Sequence, residues 1–210
     1  VRRSGLKALL QVRTRNGGMG MQRRDFIATC SLGCVALGLS GCGDGRLSPR
    51  HYARMRLLDA EGQPLRAAAL EVGVNYVFDY PFVSTPAFLF RLAAPVQPEV
   101  ALTDNTARPY QPPAGVGARR DVVAFCAICV HKLSHPSEAL SYISLRERLP
   151  SEAGPSPHYV TCCAQGSRFD PYQGARVVEG PADQPLAAIL LEHDPASDGL
   201  TAVGTLGGEV

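Results

Sequence analysis

Short segments in which apolar and polar residues alternate run along most of the chain, and this period of two predicts strands. The clearest is residues 69–90, rich in aromatic side chains and divided into two strands by Ser-Thr-Pro at 84–86. A tight turn is predicted at 59–62, where Asp-Ala-Glu-Gly follows an apolar run. The other predicted strands lie at 55–58, from 63 onward after that turn, at 99–103, at 121–125, at 159–161 and, as a final pair around Gly-Pro-Ala at 180–182, within 177–192. The pattern predicts an all-β domain.

Composition agrees with this prediction and narrows the function. The chain has 210 residues, enough for one domain with a substantial core. Its 21 glycines and 17 prolines favour a β domain rich in loops. Charged residues make up 19% of the chain and the formal net charge is +2. Neither a nucleic-acid-binding protein nor a disordered acidic tail is therefore indicated.

The N-terminal region has the order of an export signal. Arg23 and Arg24 precede a modestly apolar run over 27–39, which is the order found in twin-arginine signals. The run is short for a transmembrane helix. It ends in Leu-Ser-Gly-Cys at 39–42, which resembles the processing box of bacterial lipoproteins and implies that Cys42 is the lipidated first residue of the mature protein. An uncleaved anchoring helix is the alternative interpretation.

These features divide the chain into three parts. Residues 1–42 are interpreted as the signal with its lipoprotein box, and residues 1–20 as lying upstream of the true start. Residues 43–50 are a short polar tether, and residues 51–210 form the folded domain. The signal predicts a protein exported to the periplasmic face of a bacterial membrane and held there by lipid on Cys42.

Seven cysteines are many for this length, but their positions are not those of a disulfide framework. Three lie in the N-terminal region. The other four form two tight clusters, Cys126 with Cys129 and Cys162 with Cys163, and His131 lies beside the first. Each cluster follows a predicted buried strand, so the cysteines would lie where a strand opens into a loop. This distribution indicates a metal site.

The two clusters resemble the cluster-binding loops of the Rieske iron–sulfur proteins. The first loop reads FCAICVHKLSHP at 125–136 and the second YVTCCAQGSRFD at 159–170. In that family a Cys-x-His loop and a Cys-x-x-His loop hold a 2Fe–2S cluster, with two thiolates on one iron and two imidazoles on the other. The resemblance implies that Cys129, His131 and Cys162 are ligands.

The resemblance also implies a fold and a function. It is strong over residues 120–190, which include Gly-Ser-Arg-Phe-Asp at 166–170 and a proline loop at 180–182, and looser over 55–120. It implies the Rieske-type fold, an all-β domain of antiparallel sheets with a small cluster-binding subdomain, about 121–190, carried on two loops. The implied function is one-electron transfer as a component of an oxidoreductase, with no catalytic residue of its own.

Several positions depart from the family's pattern. Gln165 stands where the second histidine is expected, and its amide oxygen is a harder and less basic donor than imidazole. Ser134 and Ala164 occupy the positions of the family's bridging disulfide, so both halves are missing together. Phe169 replaces a tyrosine, whereas the neighbouring hydroxyl of Ser167 is kept. Fewer hydrogen bonds to the cluster sulfurs predict a reduction potential in the lower half of the family's range.

The sequence does not identify a single residue as the fourth ligand. Gln165 is the residue in register, and Cys163, His135, His158 or water are alternatives. His135 lies on the same loop as His131 and is sterically the most reasonable replacement. A structural zinc held by the four cysteines of the two clusters is a further alternative, although adjacent cysteines are not the spaced pairs of such sites.

Taken together, these residues predict an electron carrier with a Rieske-type 2Fe–2S cluster held by Cys129, His131, Cys162 and Gln165, with Ser167 beside it. Its predicted partner is a cytochrome bc-type complex or a periplasmic electron carrier. The alternative is a domain of the same fold that has lost its cluster and acts as a structural or interaction subunit, an interpretation that Gln165 favours. A ferredoxin module of the dioxygenase type would explain the missing disulfide but not the export signal.

Overall fold

The structure is a computed structural model, and it describes residues 45–128, 143–152, 154–164 and 166–208. The predicted export signal with Cys42, the first cysteine loop from residue 129 onward, and Gln165 lie outside these ranges. Within the described ranges, no helix has the length and apolar character needed to cross a membrane.

Strands make up most of the regular structure. Two short 3-10 turns lie at Ala67–Ala69 and Pro171–Gln173. The strands in chain order are β1 (Arg50–Arg56), β2 (Tyr76–Asp79), β3 (Pro86–Arg91), β4 (Leu102–Thr103), β5 (Pro109–Tyr110), β6 (Val122–Cys126), β7 (Ile143–Glu147), β8 (His158–Cys162), β9 (Arg168–Asp170), β10 (Arg176–Glu179), β11 (Ala188–Asp194) and β12 (Gly199–Leu206).

These strands form a large sheet, a small sheet and a separate hairpin. The large sheet has the order β1-β12-β11-β6-β3-β2, and the small sheet has the order β10-β9-β8-β7. The hairpin pairs β4 with β5. The neighbouring strands in all three are antiparallel. The predicted all-β fold of antiparallel sheets with a smaller unit is therefore confirmed.

The middle of the large sheet is buried on both faces. In β3, Phe88 and Phe90 point to one face, and Ala87 and Leu89 point to the other, because side chains alternate along a strand. The first face packs against the small sheet in a cluster that we call the inter-sheet core. The second face packs against residues 57–70 in a separate buried cluster. This two-sided burial explains why β3 and β6 are nearly continuous apolar runs.

The two edges of the large sheet approach each other through aromatic side chains. Tyr52 on β1 makes edge-to-face contacts with Tyr80 and Phe82, which follow β2 at the opposite edge. The ring centroids lie 6.2 Å apart for Tyr80 and 5.6 Å apart for Phe82. The large sheet is therefore strongly curled, as the right-handed twist of strands favours.

A buried amide fastens the edge of the small sheet. Asn75, just before β2, is 4% exposed. Its side chain accepts a hydrogen bond from the backbone N–H of Leu145 at 2.7 Å and donates one to the backbone carbonyl of Leu145 at 3.1 Å. Leu145 lies on β7, the outer strand, so Asn75 occupies the place that a further strand would take. This contact satisfies backbone groups that would otherwise be buried without partners.

Most of the predicted strands are confirmed. The break at 84–86 separates β2 from β3, and the final pair corresponds to β10 and β11, which lie in different sheets. The predicted strand at 55–58 is displaced, because β1 already begins at Arg50. The return strand expected from residue 63 is wrong, since the segment forms only isolated bridges, between Leu58 and Pro64 and between Arg66 and Gly199. The strands β5, β7, β9 and β12 were not predicted.

We expect replacement of Asn75 by alanine to loosen the small sheet. Because the N–H and C=O of Leu145 would lose their buried partner, the free energy of unfolding should fall by about 2–4 kcal/mol. Chemical denaturation measures this change. The matched control is Asn105→Ala, an exposed position, which should change stability by less than about 0.5 kcal/mol. Equal effects of the two substitutions would contradict this role for Asn75.

Candidate metal centre

Cys162 is the last residue of β8 and is fully buried. The strand forms because Tyr159, Val160 and Thr161 are aromatic or β-branched residues that favour extended backbone. A turn that begins at Cys163 and Ala164 then leads toward β9. Gly166 closes this turn with φ of +76°, which a residue with a side chain rarely adopts, and its N–H donates to the carbonyl of Cys162 at 2.9 Å.

The turn brings Cys162 beside Ser167. The N–H of Cys162 donates to the carbonyl of Ser167 at 2.8 Å, and Cys162 pairs with Ile143 on its other side. Ile143, Cys162 and Ser167 thus form one row across the small sheet, and all three are fully buried. The next row on the same face of the small sheet consists of Leu145, Val160 and Phe169. Cys162 therefore faces the inter-sheet core rather than solvent.

The predicted proline loop at 180–182 packs directly on this turn. A Cβ added to Gly180 would lie 2.5 Å from the Cα of Ser167, so the two backbones approach as closely as glycine allows. The N–H of Ala182 donates to Oγ of Ser167 at 3.2 Å. Because Oγ accepts this bond, the hydrogen of the Ser167 hydroxyl can be donated to a second partner. The proline loop thus covers the turn and orients its serine.

The first cysteine loop starts from the same buried region. Ala127 follows β6, is fully buried and belongs to the inter-sheet core together with Cys162. Cys129 comes two residues later and lies outside the described residues, as does His131. Cys126 shares its strand face with Val122 and Ala124, on the side away from Cys162. Burial raises the pKa of Cys126 to about 11, so Cys126 acts as a small buried apolar residue.

The two adjacent cysteines differ in environment. Cys162 is buried, whereas Cys163 in the turn is exposed. The zinc alternative requires Cys126, Cys162 and Cys163 to converge, and the structure orients them in different directions. Within the described ranges no group of three or more His, Cys, Asp or Glu side chains lies close enough together to hold a metal ion.

His158 is separated from Cys162 by the length of β8. Four residues of extended strand correspond to about 13 Å, so the two side chains do not reach one iron. Instead, Nδ1 of His158 lies 3.2 Å from Oη of Tyr172, which also accepts a hydrogen bond from the N–H of Ala93 at 3.2 Å. Tyr172 therefore joins His158 on β8 to the loop after β3. The prediction of His158 as a candidate fourth ligand is wrong.

The outer face of the small sheet carries a polar network that the sequence analysis missed. The guanidinium of Arg168 lies 4.4 Å from the ring centroid of Tyr159 and donates to Glu179 at 2.8 Å. These side chains line an open groove of about 860 Å³. Side chains alternate between the two faces of a strand, and Tyr159 and Arg168 are the chain neighbours of the core residues Val160 and Phe169. This alternation could have predicted that Tyr159 and Arg168 lie on the face away from the core.

Asp170 stabilises the turn that follows β9. Its carboxylate accepts hydrogen bonds from the N–H of Tyr172 at 3.0 Å and from the hydroxyl of Ser156, and both it and Ser156 are buried. The 3-10 turn at Pro171–Gln173 begins with this cap. The carboxylate is thus engaged in fixing the end of β9.

Of the predicted site residues, the described part of the chain contains Cys162 and Ser167 and brings them side by side. Cys129, His131 and Gln165 lie outside it, and so do His135 and Ser134. These assignments remain predictions.

Comparison with known proteins gives a structural resemblance. No protein-family model matches the chain. Among solved structures, it is similar to the soluble domain of the Rieske protein II (soxF) from Sulfolobus acidocaldarius. The sequence identity is 22%, the match covers 73% of this chain and 78% of that chain, and the TM-score is 0.49.

We expect Gly180→Ala to displace Gly166 and Ser167 at the end of the turn after β8. The added methyl group would collide with the backbone of Ser167, in addition to the cost of a positive φ. Gly62→Ala is the matched control, because Gly62 also has a positive φ but has open space around it. That control should lose about 1–2 kcal/mol of stability from φ alone. Denaturation and amide exchange at Ser167 should show a larger loss for Gly180→Ala, and similar losses would contradict the predicted collision.

The environment of His158 predicts a pH dependence of stability. Burial lowers the pKa of His158 below its ordinary value of 6.5, and the charge of Glu147 offsets this only in part. The unfolded chain therefore binds a proton at a higher pH than the folded chain, so the free energy of unfolding falls as the pH drops below 6.5. Denaturation curves across this range should show a weaker decline for His158→Gln. Parallel declines would contradict the assignment.

Proposed function

We propose that this chain carries one electron through a Rieske-type 2Fe–2S cluster at a bacterial membrane surface. The observation that carries the proposal is the position of Cys162 at the end of a buried strand, next to Ser167 and under the proline loop. This arrangement gives the second cysteine motif a rigid base.

The donor set suits such a cluster at three positions. Cys129 and Cys162 would hold one iron through thiolates, and His131 would bind the other through imidazole. When bound, the cluster supplies a one-electron couple whose potential depends on its ligands and on hydrogen bonds to its sulfurs. Gln165 is the position that suits it least, because an amide oxygen is a weaker donor for iron than imidazole nitrogen.

The described residues provide the surroundings that such a centre needs. Cys162 is fully buried, so a bond between its sulfur and an iron would be shielded from solvent. The Ser167 hydroxyl already accepts the N–H of Ala182 and can donate its own hydrogen to a neighbouring sulfur. Phe169 is buried in the inter-sheet core and offers no second hydroxyl. These features support a potential in the lower half of the family's range.

The proposed location rests on the N-terminal signal, and the proposed partner rests on the resemblance of the two cysteine loops to those of Rieske proteins. We infer export by the twin-arginine route, lipidation of Cys42 and anchoring at the periplasmic face of a membrane. A cytochrome bc-type complex or a periplasmic electron carrier would then exchange electrons with the centre. By itself the domain would turn over no substrate.

The second candidate is a domain of this fold that has lost its cluster and serves as a structural or interaction subunit. Gln165 is the specific observation that favours it, since the residue replaces an expected ligand. Iron content distinguishes the two candidates, because only the electron carrier binds iron and sulfide.

We expect Cys162→Ser to abolish cluster binding, because a buried serine hydroxyl is a much poorer iron ligand than a thiolate. Cys163→Ser is the matched control, since Cys163 is adjacent but exposed. After anaerobic reconstitution, wild type and Cys163→Ser should each contain two irons and two sulfides per chain, as a 2Fe–2S cluster requires.

Circular dichroism would show whether the Cys162→Ser variant remains folded. A folded Cys162→Ser variant that keeps the full iron content would contradict the ligand assignment. Wild-type protein that folds without taking up iron would contradict electron transfer and support the cluster-free subunit.

A further inference from the structure

An exposed apolar tip lies on the turn between β2 and β3. Phe82 is 58% exposed and Val83 is 82% exposed, and the two are adjacent. The turn is closed by a hydrogen bond from the N–H of Tyr80 to the carbonyl of Thr85 at 2.8 Å and one from the N–H of Thr85 to the carbonyl of Phe82 at 3.1 Å. Two large apolar side chains are therefore held in solvent by an ordered turn. We call Phe82 and Val83 the apolar tip.

The apolar tip packs against aromatic side chains of the large sheet. Tyr80 is only 1% exposed, and burial raises its pKa to about 12. Tyr52 packs edge-to-face against both Tyr80 and Phe82. Because the ring of Phe82 is already supported on one side, its other side remains directed outward. The tip is thus positioned to contact something beyond the domain.

The chain enters the domain next to this tip. Tyr52 is the third residue of β1, so the contact between Tyr52 and Phe82 places the tip close to the start of the folded domain. If Cys42 carries the lipid, the eight residues from there to Arg50 span at most about 28 Å when fully extended. A lipid on Cys42 would therefore hold the tip within a short distance of the membrane surface.

The charges around the entry point suit an anionic surface. Residues 45–56 contain four arginines and one histidine and no acidic residue. Arg50 and His51, just before Tyr52, are exposed. Arg54 is paired with Glu192 and Arg56 interacts with Asp194, and Asp79 at the foot of the hairpin is a further exposed acid that reduces the excess. Positive charge still predominates, and basic residues beside a lipid anchor favour anionic headgroups.

We propose that the apolar tip inserts into the interfacial region of the membrane and acts as a second contact beside the lipid anchor. This inference rests on the proposed anchoring through Cys42. Aromatic and aliphatic side chains at an exposed turn favour the boundary between headgroups and acyl chains. Two contact points would restrict rotation of the domain about its tether. The tip belongs to the large sheet, whereas Cys162 lies at the end of β8 in the small sheet.

The absence of tryptophan from the chain permits a direct test. Phe82→Trp introduces a single tryptophan at the tip of the full chain. Leu149→Trp is the matched control, because Leu149 is also 58% exposed but follows β7 in the small sheet. Each variant is purified with its lipid from a bacterial host. It is then reconstituted into phosphatidylethanolamine–phosphatidylglycerol vesicles with and without bromine on the acyl chains.

We expect the emission of the F82W variant to shift to shorter wavelength in vesicles and to lose most of its intensity with brominated lipid. The L149W emission should change in neither respect. Co-flotation with the vesicles but unquenched F82W emission would contradict the tip contact while leaving the anchor intact. A blue shift that depends on protein concentration without vesicles would indicate a second copy as the occupant and would also contradict it.

Failure of the anchor gives a different result. If the full chain does not float with vesicles, and Cys42→Ala behaves like wild type, both the anchor and the tip contact are overturned. Iron content is measured on the same samples, so a failure of cluster binding is detected independently of either.

Discussion

The apolar contact between the two sheets determines where a metal centre could form in this molecule. Phe88 and Phe90 of β3 stack with their ring centroids 5.1 Å apart and belong to the same buried cluster as Val160 and Phe169 of the small sheet. Cys162 lies one row further along this interface. Because both cysteine loops leave from the rim of one core, any displacement of the small sheet would move one loop relative to the other.

The second loop depends on backbone contacts that allow very little variation. The turn after β8 is closed by the hydrogen bond from Gly166 to Cys162, and Gly180 lies against Ser167 at a distance that excludes a side chain. Such close backbone packing fixes a cysteine and a hydroxyl before any ligand arrives, which is how proteins reduce the cost of organising a site. Position 165 is Gln rather than the histidine that the resemblance implies, whereas the backbone contacts of Cys162 and Ser167 are well defined.

The sequence predicts the strands that are buried or in which apolar and polar residues alternate clearly. It does not predict strands whose formation depends on contacts with distant parts of the chain. β3 and β6 are continuous apolar runs and were readily identified. β7 was missed because its outer edge is completed by Asn75, which is 70 residues away. β12 was missed because it is rich in small residues, and Gly204 is required there by the close approach of Arg50. For the site, spacing placed Cys162 and Ser167 in one turn, but no local pattern could show that His158 bonds Tyr172 instead of iron.

Cluster binding is tested most directly by an EPR spectrum of the reduced full chain after anaerobic reconstitution, including its nitrogen hyperfine couplings. A Rieske-type 2Fe–2S cluster with mixed ligands should give a spin-one-half signal with coupling to imidazole nitrogen from His131. A folded protein with no such signal would contradict it, and the chain would then be a domain that keeps the shape of an electron carrier without its chemistry.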